Sequence, residues 1–390
     1  MLKIHLGVCG IGYGHADRIL TISKKLYEKG CTLIISSYGE GLEYLRKHGL
    51  RVYKVPAVDY GVLHEGKVSI KMTIFKNILL PIQVLKQIAY EVSIIDNGEV
   101  DLVVSDSRAS TVIAAKILGK PTVTILNQFN IKIHYPKYRW IIESLESSSY
   151  IVGRIWLKSD KIVVADYPPP LTISKKNLQF PENIPKDKVE YVGPIIDTSH
   201  ISDISVKTLS EKYGVGLNGK PVVLFMATGP FYERKKFIEK IYPMLKELVN
   251  EFEAVLTLGG LKLDSVDTSN LKIFEWVEDP LELIKISDIV VTRGGQTTLA
   301  KVLALGKPLV MIPIPAHAEQ IGNAESIQDN GAGLVLYEEE LSKTSLKKCL
   351  ERILEDKTFS QRARDYSKVF NSLNPTEHVI KIIETMLTKS

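Results

Sequence analysis

Cysteine is scarce in this 390-residue chain. Cys9, Cys31 and Cys349 are the only three. They are odd in number, far apart and in no metal-ligand spacing, which excludes a disulfide scaffold and suits reduced thiols in a cytoplasmic setting. Long apolar runs are missing too: none approaches the roughly 18 residues that a spanning helix needs. The apolar start, Met1-Leu2-Lys3-Ile4-His5-Leu6-Gly7-Val8-Cys9-Gly10, runs straight into a glycine loop, without the h-region and cleavage site of a signal peptide. A soluble, cytoplasmic protein is the expectation, one that can still lie on the inner face of the cell membrane. Dense Lys/Arg runs are absent, which argues against a nucleic-acid partner. With 45% hydrophobic residues and a net charge of only +5, disorder is excluded as the main state.

What is present is an α/β pattern that occurs twice. Its length allows two domains, each able to bury a core. Lys3–Val8, Cys31–Ser36, Arg51–Val55, Leu102–Ser105 and Thr122–Leu126 read as strands, with helical spacing over Ala16–Lys29, Gly41–His48 and Ser110–Leu118. Runs such as Asp101-Leu102-Val103-Val104-Ser105 are apolar on successive residues, as in a parallel sheet covered on both faces. A break follows at 166–200, where Pro168, Pro169, Pro170, Pro181, Pro185 and Pro194 oppose regular structure. The pattern then resumes with strands at Val222–Met226, Ala254–Leu258, Ile289–Thr292 and Leu309–Ile312, and helices at Tyr232–Asn250 and Thr297–Leu305. Asn374-Pro375-Thr376-Glu377 opens a last helix, with Pro just inside its start. Two doubly wound domains follow, residues 1–195 and 200–373, with 374–390 packing back on the first. Their ligands belong at the carboxyl ends of the strands, in the cleft between them. Charge divides with the domains: residues 1–199 carry a net +7 and residues 200–390 a net −2, so the front half suits an anionic partner.

Three loops carry chemistry. Gly10-Ile11-Gly12-Tyr13-Gly14-His15 joins the first strand to the first helix. Its glycines permit a tight turn and close approach to a ligand, but a third Gly would have to stand at 15 for a dinucleotide fingerprint. His15 stands there instead, an imidazole at a helix start beside the cleft, suited to taking a proton. Thr292-Arg293-Gly294-Gly295-Gln296-Thr297-Thr298 leaves another strand and enters a helix, offering amides and hydroxyls to phosphate oxygens and Arg293 to a leaving diphosphate. Pro313-Ile314-Pro315-Ala316-His317-Ala318-Glu319-Gln320-Ile321-Gly322-Asn323 clusters acids, amides and an imidazole at a third helix start, groups that grip sugar hydroxyls. Each loop alone is as readily a structural turn or cap; together they point at one cleft.

The combination resembles nucleotide-sugar glycosyltransferases of the GT-B fold, and within them an archaeal MurG-like branch of family 28 type. Val8-Cys9-Gly10, Asn127-Gln128, Ala165-Asp166-Tyr167-Pro168 and Leu305-Gly306-Lys307-Pro308 extend the likeness over nearly the whole chain. The resemblance implies two Rossmann-like domains, the rear one holding a nucleotide-sugar donor and the front one the acceptor. It also implies inverting transfer with no metal or other cofactor, and no Asp-x-Asp stands at a strand end. Carried over by motif, Arg293, Gly294, Gly295, Gln296, Thr297 and Thr298 meet the diphosphate and nearby donor atoms. Thr228, Gly229 and Val277 line the donor side, Glu319 and Gln320 hold sugar hydroxyls, His317 assists, and Asn323 supports the helix start. Gly12 and Gly14 form the front loop. Lys301 replaces the acidic residue that binds ribose in the bacterial pattern, and so weakens uridine as the base.

For mechanism, His15 is expected to deprotonate the acceptor hydroxyl, oriented by Asp106 at the neighbouring strand end, with Asp17 as the rival carboxylate facing away. Interleaved basic, aromatic and apolar residues at 69–95 and 132–161 point to a lipid-linked acceptor at a membrane surface. A sugar-nucleotide epimerase and a non-catalytic nucleotide-sugar or lipid binding subunit are the alternatives.

Overall fold

The computed structural model describes residues 2–58, 70–130, 151–248, 251–263 and 271–388. The front domain runs β1 (Lys3–Val8), α1 (Gly14–Glu28), β2 (Thr32–Ser37), α2 (Gly39–Lys47), β3 (Val52–Lys54), α3 (Ile70–Asn97), β4 (Leu102–Asp106), α4 (Ala109–Ile117), β5 (Thr122–Leu126), β6 (Lys161–Val164) and β7 (Val189–Tyr191). The rear domain follows with α5 (Ser199–Ser202), α6 (Val206–Tyr213), β8 (Val222–Met226), α7 (Phe231–Leu248), β9 (Glu253–Thr257), β10 (Leu271–Phe274), α8 (Pro280–Ile286), β11 (Ile289–Thr292) and α9 (Gln296–Ala304). It ends with β12 (Leu309–Met311), α10 (Ala318–Asp329), β13 (Gly333–Val335), α11 (Lys343–Glu355), α12 (Lys357–Leu373) and α13 (Pro375–Thr388).

All the strand pairs are parallel. The front sheet has the order β3-β2-β1-β4-β5-β6-β7 and the rear sheet β10-β9-β8-β11-β12-β13. Each order reverses direction once, between β1 and β4 in front and between β8 and β11 behind. Those reversals open crevices at the strands' carboxyl ends, and the loops after β1 and β11 fall there. Every residue of β4, β5, β8 and β9 is buried, which accounts for their runs of successive apolar residues, complete in β8 and ended by Ser105 and Asp106 in β4.

Two crossings tie the domains together. Tyr167 and Ile173 precede the linker but lie in the rear core, with Tyr167 edge-on to Tyr366 at 4.9 Å. In the other direction, Val379, Ile380, Ile382 and Ile383 of α13 join the front core beside α1. Beneath α3, Glu91 is wholly buried and is met by His5 at 2.8 Å, by Ser36 at 2.8 Å and by Arg108. Burial opposes its charge, but Arg108 and His5 hold the carboxyl far below its usual range. That network fastens the helix to the sheet.

Candidate active site

His15 lies in the first turn of α1, and Asp106 ends β4 next to β1. Topology therefore brings the two together although 91 residues separate them: Nδ1 of His15 is 2.7 Å from Oδ1 of Asp106. Arg18, one helical turn on from His15, reaches the same carboxylate with both arms of its fork, Nε to Oδ2 at 2.8 Å and Nη2 to Oδ1 at 2.6 Å. Asp106 is 0% exposed. Burial works to raise its pKa, yet Arg18 and then His15 outweigh it and draw the value down to about 2. Two groups approach Nδ1, the Asp106 carboxylate at 2.7 Å, which only accepts, and Nη2 of Arg18 at 3.1 Å, which only donates; on the shorter contact we assign the proton of His15 to Nδ1, directed at Asp106. Nε2 then carries the lone pair and has no protein partner among the described residues. The His15 side chain is 16% exposed.

Asp17 turns to other partners. It accepts from Tyr44 at 3.0 Å and pairs with Lys301 of α9 at 2.7 Å. Burial opposes the charge of Asp17, and the Lys301 ammonium more than compensates, lowering its pKa. Lys301 is thus neither a solvated surface residue nor a free cation for phosphate; it bridges the two domains. Gln296 does likewise, donating from Nε2 to the Ala165 carbonyl at 3.1 Å. Thr297 completes the contact: a methyl group added at Gly14 would sit 2.4 Å from its Oγ1. Gly14 is therefore required by the approach of α1 to α9, whereas Gly12 has φ of 68° and open space around it. The expectation that the Gln296 side chain meets the donor is corrected here, because its amide is spent on the front domain.

Arg293 also departs from expectation. It is 1% exposed, donates from Nη1 to Glu338 at 2.6 Å and to the Ile312 carbonyl at 3.2 Å, and stacks 5.1 Å from the Phe237 ring centroid. Its Nε and Nη2 have no hydrogen-bond partner among the described residues, with Glu233 3.8 Å from Nη2; it is burial in the rear core, rather than complete pairing, that keeps the cation from the open cleft. Gln320 is buried, and its Oε1 accepts from Gly294 at 3.3 Å and from Ile314 at 3.1 Å. It holds the glycine turn against α10. Asn323 secures the same turn by donating to the Gly294 carbonyl at 3.1 Å, and any Cβ on Gly294 would strike the Gln320 backbone at 2.3 Å.

Open groups remain around these anchors. Gly295 caps α9 with free space where a side chain would be, and the first amides of that helix lack helical acceptors. Half-buried Glu319 has no hydrogen bond or ion pair among the described residues. His317 caps α10 through a long contact from the Gln320 amide, 3.4 Å. Thr228 lies 3.3 Å from Thr292, Gly229 is exposed with φ of 95°, and Val277 is half-buried beside exposed Trp276. Among the described residues no three His, Cys, Asp or Glu side chains gather as a metal site. Sequence reasoning missed Arg18, although its i,i+3 spacing from His15 was a signal.

On the acceptor side, Ile82, Leu85 and Tyr90 of α3 are exposed. The side chains of Ile70, Lys71, Ile74, Phe75, Lys76, Ile78, Leu79 and Leu80 lie outside the described residues, as do Tyr135, Lys137, Tyr138, Arg139 and Trp140. No helix among the described residues is long and apolar enough to cross a membrane.

Comparison with known proteins agrees with this architecture. Residues 235–377 match the glycosyltransferase family 28 C-terminal domain, and residues 2–186 match glycosyl transferase family 1. A relative named an uncharacterized glycosyltransferase in Methanosarcina acetivorans is 28% identical, covering 100% of this chain and 99% of its own. The UDP-N-acetylglucosamine--N-acetylmuramyl-(pentapeptide) pyrophosphoryl-undecaprenol N-acetylglucosamine transferase of Geobacillus thermodenitrificans is 27% identical, covering 95% of each. Among solved structures, the kitacinnamycin glycotransferase superposes with a TM-score of 0.73 at 15% identity, covering 99% of both chains. MurG of Acinetobacter baumannii does so with 0.61 at 18%, over 99% of this chain and 100% of that one.

Proposed function

We propose that the chain, whose family matches and relatives are glycosyltransferases and whose fold is that of GT-B enzymes, is a MurG-like glycosyltransferase that moves a hexose or N-acetylhexosamine from a UDP-sugar to an acceptor hydroxyl, with inversion and without a metal. The observation that carries the reading is the His15–Asp106 pair at the front crevice, with Nε2 unpartnered, beside the amide-rich start of α9 at the rear one. In the step, the acceptor hydroxyl gives its proton to Nε2 of His15 as its oxygen attacks the anomeric carbon. The bond from that carbon to the β-phosphate oxygen breaks, and its electron pair leaves on the diphosphate. The amides following Gly295 meet the new charge, a task from which burial withholds Arg293. A single displacement inverts the carbon. Glu319 is the free acceptor for a sugar hydroxyl.

Uridine is favoured by the donor named in the Geobacillus relative. The same name, together with exposed Ile82, Leu85 and Tyr90 on the basic half of the chain, favours a lipid-linked acceptor met by the protein from the cytoplasmic face of the membrane.

The test is a screen of UDP-N-acetylglucosamine, UDP-glucose and UDP-galactose for binding and slow hydrolysis, with and without EDTA. His15→Ala should bind donor normally and lose about 100-fold or more in turnover. Glu319→Ala should weaken binding of the UDP-sugar but not of UDP. EDTA should change nothing. If no UDP-sugar binds at millimolar concentration, the donor reading is wrong and a non-catalytic binding subunit takes its place. Vesicles of anionic lipid should retain the protein at low salt; failure to do so removes the membrane acceptor.

A further inference from the structure

Arg18 is 5% exposed, and a buried cation has to be paired. Its pairing is unusually specific. Both oxygens of Asp106 are engaged, and Nη2 also stands 3.1 Å from Nδ1 of His15. An imidazole and a carboxylate alone in a buried crevice gain most by becoming imidazolium and carboxylate. That form has already taken its proton and has no lone pair for an acceptor. A permanently charged guanidinium changes the balance: it supplies the counter-charge that Asp106 needs, and it repels a second positive charge on the adjoining ring. The other charges nearby are spent elsewhere, Asp17 and Lys301 on one another and Arg108 on Glu91.

We propose that Arg18 is a positioning residue for transfer: its fork fixes the plane of Asp106, against which Nδ1 of His15 is set, and its charge opposes a second cation on the ring, leaving Nε2 free to accept a proton. This rests on His15 being the general base. The fork geometry sets the expectation for two variants. Arg18→Met removes both charge and fork, whereas Arg18→Lys keeps the charge and loses bidentate contact.

The experiment follows hydrolysis of UDP-N-acetylglucosamine against pH in the intact protein and both variants, alongside nitrogen-15 spectra of the histidine rings, with His15→Gln identifying the His15 signals. With Arg18→Met the acid limb of the kcat profile, and the pH at which the His15 ring titrates, should both move up by about one pH unit. KM should stay within about twofold. Arg18→Lys should leave the limb in place and lower kcat several-fold. If Arg18→Met is folded and neither the limb nor the ring titration moves, Arg18 is only structural and the proposal fails. If Arg18→Met does not fold, Arg18→Gln, neutral but still able to donate to Asp106, takes its place: a limb and ring titration displaced upward sustain the charge argument, and unmoved ones overturn it. Should hydrolysis survive in His15→Gln, the general-base reading is what has failed, and the ring spectra still report whether Arg18 controls the imidazole.

Discussion

Replacing Arg293 by alanine separates two readings of the rear glycine loop. As a diphosphate ligand, Arg293 would be dispensable for folding and essential for donor binding. The structure makes the opposite demand. Its guanidinium neutralises Glu338, whose side chain is only 9% exposed, and lies over Phe237. Burial opposes the charge on Glu338, and Lys240 with Arg293 keeps its carboxyl below the usual range. Removing one partner of a buried ion pair typically costs about 3–5 kcal/mol. Here Lys240 remains 2.6 Å from Glu338, which argues for the lower end, and the emptied volume over Phe237 adds to it. A loss of about 3 kcal/mol is expected, lowering the melting temperature of a domain this size by roughly 6–12 °C. Arg293→Met, which keeps most of the stem, should lose less. Below its own melting transition, folded Arg293→Ala should bind UDP within a few-fold of the intact protein. The assay is thermal unfolding by calorimetry together with UDP titration at low temperature. Unchanged melting with abolished UDP binding would refute the burial argument and restore Arg293 to the diphosphate.

The other predictions concern the same contacts. Asp106→Asn should remove one share of the acid-dependent stability, to which Glu91, Asp17 and Glu338 also contribute. The folded-state pKa of Asp106 lies below its ordinary 3.8, at about 2, so its contribution of about 2 kcal/mol is present above pH 3.8 and lost as pH falls through 2; unfolding of both proteins between pH 2 and 6 checks this. Lys301→Ala should free Asp17 and loosen the contact between α1 and α9. Small-angle scattering should then show a larger radius of gyration than in the intact protein, with little change in the cores. Gly294→Ala should destabilise by about 2 kcal/mol or more, since its Cβ meets backbone at Gln320 rather than a yielding side chain; denaturant midpoints measure it.

Much of the fold was legible because parallel strands buried on both faces leave runs of successive apolar residues, as in β4 and β8, and because glycine loops mark where those strands end. His15 and Asp106 could be paired for the same reason: both stand at carboxyl ends of neighbouring strands, and the topology does the rest. What misled was chemistry with two outlets. An arginine beside two glycines at a strand end suits a phosphate, yet the partner that claims Arg293 is Glu338, 45 residues further on, and no local spacing reveals that proximity. Gln320 could hold a sugar or its own backbone. Its oxygen goes to the backbone because the Gly294 and Ile314 amides are hidden donors that need an acceptor.

The contacts across the cleft share that origin. Gln296 and Thr297 were placed on the donor because they share a helix start with the glycine turn, and Lys301 follows them on the same helix. In the structure that helix start rests on the front domain, through the Ala165 carbonyl, Gly14 and Asp17 respectively. The donor-side helix and the helix bearing His15 therefore meet directly, and any ligand that parts α9 from α1 acts on the turn that carries the base. Side-chain chemistry at the cleft is thus divided: Gln296 and Lys301 hold the two domains in register, Arg293, Gln320 and Asn323 brace the rear loops, and Glu319 is left without a partner among the described residues. A sequence can show that such residues gather at one cleft, but which of them touch the ligand is decided by the distance between the domains.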